Sequence, residues 1–285
     1  MNYNKVVIIG APRSGTNMLR DMLAKIPHVG TWPCDEINYI WRHGNIKFNS
    51  DEFTPKMATQ EVKSYVKKAF DKIATKQKVD TVIEKTCANS LRIGFVDRVV
   101  PDCRYIFIVR DGMDVVGSAL DRWRADLDIP YLLRKAKYVP LSDMPYYATR
   151  YFSNRIHRFT SGDKRLAFWG PTMNNMDNLL LNRSLEEVCA FQWKACVDSA
   201  EKDFAAIPSD RILRIKYEGF VKQPIDEFAK IADFLSVNIP QSVNDYLSMN
   251  VRATSIGKGR NSLTEEKIDF LRPLIADTLD RYGYE

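Results

Sequence analysis

Short apolar runs alternate with longer stretches whose apolar positions recur at helical spacing. Residues 5–10, Val82-Ile83-Glu84, Arg104–Val109 and Arg211–Ile215 read as strands buried on both faces. Between them, residues 59–74 bring Val62, Val66, Ala69, Phe70 and Ile73 to one side of a helix. Further helices are predicted from Thr16 to about Lys25, closed by Pro27, and over about 90–99, 184–205, 224–235 and 264–281. Another follows Arg110, with Asp111 and Asp114 in its first turn. Strands separated by helical segments predict an α/β fold. It is three-layered and P-loop-like, with a mostly parallel central sheet flanked by helices. Ligands in such folds bind beyond the carboxyl ends of the strands, so the loops after Ile9, Ile83, Val109 and Ile215 are expected on one rim.

With 45% hydrophobic and 27% charged residues, the 285-residue chain can build a substantial core. No Pro/Gly/Ser linker or internal repeat divides it, which favours one domain over 1–285. The aromatic-rich stretch 123–183 does not alternate cleanly and is expected to be a helical insertion on the substrate side. Net charge is +6, but the basic residues are scattered; this suits an anionic small ligand and does not single out nucleic acid. The five cysteines are widely spaced, and the three histidines form no metal constellation, so neither a zinc site nor a disulfide framework is expected. No stretch is long and apolar enough to cross a bilayer, and a reduced, cytoplasmic protein is the expectation. A monomer or weak dimer is expected.

The first strand runs into Gly10-Ala11-Pro12-Arg13-Ser14-Gly15-Thr16-Asn17, nearly a nucleoside-triphosphate loop. Gly10 and Gly15 keep the spacing. Thr16 replaces the phosphate-binding lysine, and Asn17 replaces the magnesium-binding hydroxyl residue. Backbone amides and a helix start can still cradle phosphate, with Arg13, Ser14, Thr16 and Asn17 adding donors. The parts that move a γ-phosphoryl group are missing, which points to a phosphate-bearing donor other than ATP or GTP. Farther along, Arg110 and Ser118 lie eight residues apart across a strand end and two helical turns. They offer a planar fork and a hydroxyl to a second phosphate.

At these residues the chain resembles the sulfotransferases that use 3′-phosphoadenosine 5′-phosphosulfate (PAPS). The likeness is to a bacterial branch, with some similarity to tyrosylprotein and Golgi-type carbohydrate sulfotransferases. It implies that Arg13-Ser14-Gly15-Thr16-Asn17 embraces the 5′-phosphosulfate and that Arg110 and Ser118 hold the 3′-phosphate. It also implies that Gly257-Lys258-Gly259-Arg260 closes over that phosphate, with Lys258 and Arg260 supplying charge. Arg214-Ile215-Lys216-Tyr217-Glu218 resembles a family segment whose Tyr and Glu are structural. The product implied is 3′-phosphoadenosine 5′-phosphate (PAP), and no metal is required.

Sulfuryl transfer needs a base for the acceptor proton and cations around the transferred group. Glu36 and Asp35 follow the first helix and can return to the strand rim; the resemblance favours Glu36 as base. Lys85, at a predicted strand end, is placed to bridge sulfonate and leaving phosphate, assisted by Arg13. Asn89 is a candidate to orient Lys85 or the acceptor, and His43 to line the acceptor entrance. Cys87 lies beside Lys85 without a histidine to activate it, so it reads as a filler thiol. Trp123, Tyr131, Tyr138, Tyr146, Tyr147, Tyr151, Phe152, Phe159, Phe168 and Trp169 offer rings to an acceptor, with Trp169-Gly170-Pro171 as a rigid turn. The acceptor expected from the resemblance is a carbohydrate or glycolipid hydroxyl. A phenol or peptidyl tyrosine is the alternative, and an atypical P-loop small-molecule kinase or a non-catalytic nucleotide-binding module are rival functions.

Overall fold

The computed structural model describes residues 3–125, 135–160, 166 and 168–284. Tyr131 and the side chains of Tyr151 and Phe159 lie outside the described residues. Five strands, β1 (Asn4–Ile9), β2 (Val29–Thr31), β3 (Thr81–Lys85), β4 (Arg104–Val109) and β5 (Ile212–Lys216), form one parallel sheet in the order β2-β3-β1-β4-β5. The four predicted strands are present, the first and last each moved by one residue and the second one residue longer at each end. β2 was not predicted, because three residues with a central glycine carry no period to read.

Pleating explains how the sheet is covered on both faces. Val7 and Ile9 of β1 join Tyr105, Phe107 and Val109 of β4 in one apolar cluster. Val6 and Ile8 join Ile106 and Ile108 in the other. The first cluster is sealed by helices Gln60–Gln77, Ile93–Val99, Gly112–Arg124, Leu185–Phe204 and Glu265–Arg281. Thr16–Leu23, Tyr217–Lys222, Pro224–Leu235 and Gln241–Asn250 seal the second. Three layers result.

Helix ends follow local chemistry. Thr59 caps Gln60–Gln77, Asp111 caps Gly112–Arg124 and Thr264 caps Glu265–Arg281. Ser184 and Glu187 close a reciprocal capping box on Leu185–Phe204. The expected helix at 90–99 divides into a 3₁₀ turn, Cys87–Leu91, and a helix, Ile93–Val99. The first helix ends at Leu23, ahead of Pro27. Because β1 sits between β3 and β4, the ends of these three strands deliver Gly10, Thr86 and Arg110 to neighbouring positions on one rim.

Candidate active site

Gly15 is the hinge between strand loop and helix. It has φ +87°, and a Cβ there would meet the Tyr217 ring at 2.4 Å, so both its conformation and its contact require glycine. The turn leaves the amides of Gly15, Thr16, Asn17 and Met18 without acceptors among the described residues, as expected at a helix start. Ser14 Oγ is buried and likewise lacks a partner among the described residues. Arg13, itself at φ 70°, donates from Nε to Ser118 Oγ at 2.9 Å. Its carbonyl accepts Arg110 Nη1 at 3.0 Å. Burial, together with the neighbouring Arg122 and Arg110 charges, pulls the Arg13 pKa down. Cations gathered against mutual repulsion, beside bare amides and an unpaired buried hydroxyl, make a site that fits a phosphate-rich ligand.

Arg110 is 6% exposed and heavily engaged. Nη2 donates to Ser255 O at 2.6 Å and lies 3.2 Å from Asp114 Oδ2, the guanidinium stacks over Tyr217 at 4.5 Å, and Nε has no partner among the described residues. Asp114 organises the closing loop. Its carboxylate accepts the amides of Gly257, Gly259 and Arg260 at 2.7, 2.9 and 3.0 Å. A Cβ on Gly117 would come within 2.0 Å of Gly259 O, and one on Gly259 within 2.0 Å of Asp114 O. The Gly259 amide is committed to Asp114, and the residue's missing side chain is what permits this close approach of the loop to the helix. Lys258 is exposed and Arg260 half-buried beside it. Tyr217 supports the whole arrangement through Gly15, Arg110 and a hydroxyl contact to Ser255.

On the β3 side, Lys85 Nζ lies 3.1 Å from Glu36 Oε1, which also accepts the Cys87 amide at 3.3 Å. The Lys85 side chain is 1% exposed and that of Glu36 29%, so the carboxylate is the member open to solvent. Burial works against a charged Glu36, but Lys85 and then Lys135 outweigh it and hold the carboxyl below its ordinary range. Burial likewise opposes a charged Lys85, and Glu36 more than offsets it, raising the lysine. Burial pushes the Cys87 thiol up to about 12, and the thiol rests against Thr16 Oγ1 at 3.6 Å, consistent with a filler. Asp35 accepts from Asn17 Nδ2 at 3.5 Å and pairs with Lys135 at 3.1 Å.

Two expected acceptor contacts, Asn89 and Trp123, take other places. Asn89 is fully buried; its Nδ2 donates to Glu84 Oε2 at 2.9 Å and its Oδ1 accepts Arg92 Nε at 3.0 Å, so it orients neither Lys85 nor an acceptor. Trp123 is fully buried in the core beneath Trp169. His43, a candidate for the acceptor entrance, has Nδ1 2.9 Å from Asp143 Oδ2 and its ring on Tyr65. The Trp169-Gly170-Pro171 turn is pinned by Gln192 Nε2, which donates to the carbonyls of Trp169 and Pro171 at 2.9 and 2.8 Å. Half-buried Trp169 stays near the surface.

Sequence reasoning missed Asp114, Lys135 and Arg122 as parts of the site. Asp114, Ser118 and Arg122 recur every four residues and so share one helix face, a signal present in the sequence. Lys135 had no comparable signal.

Residues 5–165 match the Sulfotransferase family, and the chain belongs to it. No curated protein matches. Among solved structures, the sulfotransferase domain from the curacin biosynthetic pathway is similar at 13% identity and TM-score 0.59, over 99% of this chain and 98% of that one. The sulfotransferase domain of the Synechococcus PCC 7002 olefin synthase follows at 16% and 0.54, over 100% and 96%. Sulfotransferase STF9 from Mycobacterium avium gives 14% and 0.52, over 100% and 78%. At such identities the likeness is one of fold. No described helix is long and apolar enough to cross a membrane.

Proposed function

We propose that the chain is a cytoplasmic enzyme that transfers a sulfuryl group from PAPS to a hydroxyl of a carbohydrate or glycolipid. The observation that carries this reading is the Arg13–Ser118 hydrogen bond, which joins the bare-amide loop to the second phosphate motif at neighbouring strand ends. Arg13, Ser14 and the amides of Gly15, Thr16 and Asn17 would hold the 5′-phosphosulfate. Arg110, Ser118, Lys258 and Arg260 would hold the 3′-phosphate, with Gly259 letting the loop close.

The donor supplies the sulfuryl group and leaves as PAP. Glu36 takes the acceptor proton, and Lys85, with Arg13, stabilises charge at the transferred group and the leaving phosphate. The Lys85–Glu36 pair couples these roles: a lysine turned toward sulfonate relieves the carboxylate of the partner that depresses its basicity. Asp35, tied to Lys135 and Asn17, is the weaker candidate for base. Half-buried Tyr39, packed edge-on against Tyr147 at 4.6 Å, follows Glu36 by three residues and offers an aromatic surface suited to a sugar face.

The test is transfer of labelled sulfuryl from PAPS to a panel of glycan, glycolipid and phenolic acceptors, with calorimetry of PAPS, PAP and ATP. Transfer to the first two acceptor classes with selective PAP affinity supports the reading. A preference for phenols or tyrosyl peptides would reassign the acceptor. Turnover of ATP without use of PAPS would overturn the activity.

A further inference from the structure

The Glu36 loop is gripped from both sides. From the sheet, Lys85 and the Cys87 amide hold Glu36 itself. From the segment between Trp123 and Arg183, Lys135 reaches Asp35, the residue immediately before Glu36, at 3.1 Å. The Lys135 side chain is 12% exposed, so this pair is shielded from solvent screening. Asp35 in turn accepts from Asn17 on the first turn of the donor-loop helix. One carboxylate thus ties donor loop, base loop and insertion together.

We propose that Lys135 is an acceptor-side positioning residue. Through Asp35 it fastens the insertion across the Glu36 loop, and its charge helps keep Glu36 ionised for the incoming hydroxyl. The proposal rests on the reading of Glu36 as base. Charged or titratable groups around that carboxylate are Lys85 and Cys87 from the β3 end, Lys135 from the insertion, Cys196 from the helix Leu185–Phe204, and Asp35, Cys34 and Tyr39 from its own segment. Among them Lys135 and Asp35 oppose one another: the lysine favours the charged form of Glu36 and the aspartate disfavours it. Removing either member breaks the same clasp but changes the field at Glu36 in opposite directions.

That opposition separates an electrostatic positioning role from a purely structural one. The pH dependence of kcat/KM for the acceptor is measured for wild type, Lys135→Met, Lys135→Arg and Asp35→Asn, with donor affinity followed by PAP calorimetry. Lys135→Met should raise acceptor KM several-fold and move the acid limb up by about half a pH unit, the scale of one nearby charge in a partly hydrated site. Asp35→Asn should raise KM similarly and move the limb down, while Lys135→Arg restores both values. Limbs that move together, or stay fixed in folded variants, overturn the proposal. Glu36→Gln serves as the control: if it retains near-wild-type transfer, the base assignment has failed. If it abolishes transfer while the limbs stay fixed, the role of Lys135 alone has failed.

Discussion

Arg13 Nε donates to Ser118 Oγ at 2.9 Å, across 105 residues of sequence. The contact fastens the glycine-bounded loop to the helix that begins after β4. It fixes the distance between two cationic positions before any ligand arrives, so ordering costs at binding are reduced. It also holds Arg13 beside Arg110 and Arg122, which add charge of the same sign.

Selectivity for a 3′-phosphate should reside in Ser118 and Arg110. Loss of a hydrogen bond to a charged group costs about 1.5–3 kcal/mol, more when a buried partner is left unpaired. Ser118→Ala and Arg110→Ala should therefore weaken PAP binding by at least about tenfold. Affinity for adenosine 5′-phosphate should change much less. Calorimetry with the two nucleotides checks this; equal losses for both would assign the residues to structure alone.

Glu36→Gln should preserve fold and PAP affinity and slow single-turnover transfer by roughly 100-fold or more, the usual scale for loss of a general base. Lys85→Met should slow transfer and weaken donor affinity as well. With its strongest cationic neighbour gone, Glu36 should also titrate higher, moving the acid limb of the surviving activity upward. Rapid-quench assays across pH read both effects.

Asp114→Asn should unseat the closing loop. Two of the three amides converge on Oδ1 and the third, with Arg110, on Oδ2, so an amide side chain must turn its own NH₂ toward donors on one side. Hydrogen exchange at Gly257, Gly259 and Arg260 should be slow in the ligand-free wild type and fast in the variant. Equal protection in both would show that the loop is held by other contacts.

Glu84 supplies a pH test of stability. Burial pushes its carboxyl up to about 7, against the opposing pull of Lys85 and Arg92. The folded state therefore prefers the protonated acid. Its contribution is fully present below the ordinary glutamate pKa of 4.5 and is lost as pH rises through about 7. The interval corresponds to about 3 kcal/mol. Glu84→Gln keeps an acceptor for Asn89 without the charge. Urea denaturation at about pH 5 and about pH 8 should show wild type losing stability relative to this variant at the higher pH. A constant difference between the two would exclude the linkage.

Much of this architecture is visible in residue spacing. The apolar runs at 5–10 and 104–109 declare buried parallel strands, and the eight residues from Arg110 to Ser118 declare a strand end followed by two helical turns. Gly10 and Gly15 locate the loop. Contacts that depend on distant packing were hidden: Asp114 meets residues 257–260 only because the helix and the tail lie against each other. Composition could not sort the aromatic residues, since Trp123 in the core and Trp169 near the surface differ only in where the fold puts them. Asn89 misled for a related reason. A polar residue after a strand end suggests a rim, but the 3₁₀ turn carries it inward to Glu84 and Arg92.

The glycine-to-glycine seating of residues 117 and 259 also gives the chain an order of completion. Synthesis delivers the opening loop first and the Ser118 helix next, and both can settle on the sheet as the strands pair. Gly259 arrives long after the Ser118 helix, followed by the helix Glu265–Arg281 that packs on the first core cluster. Until that tail docks, Asp114 has no loop amides to satisfy it, and the second phosphate position lacks its cover. A chain cut before residue 257 would thus carry the loop at Gly10–Asn17 yet should hold nucleotide only loosely, so tight donor capture would report that the segment through Arg281 has been made and has docked.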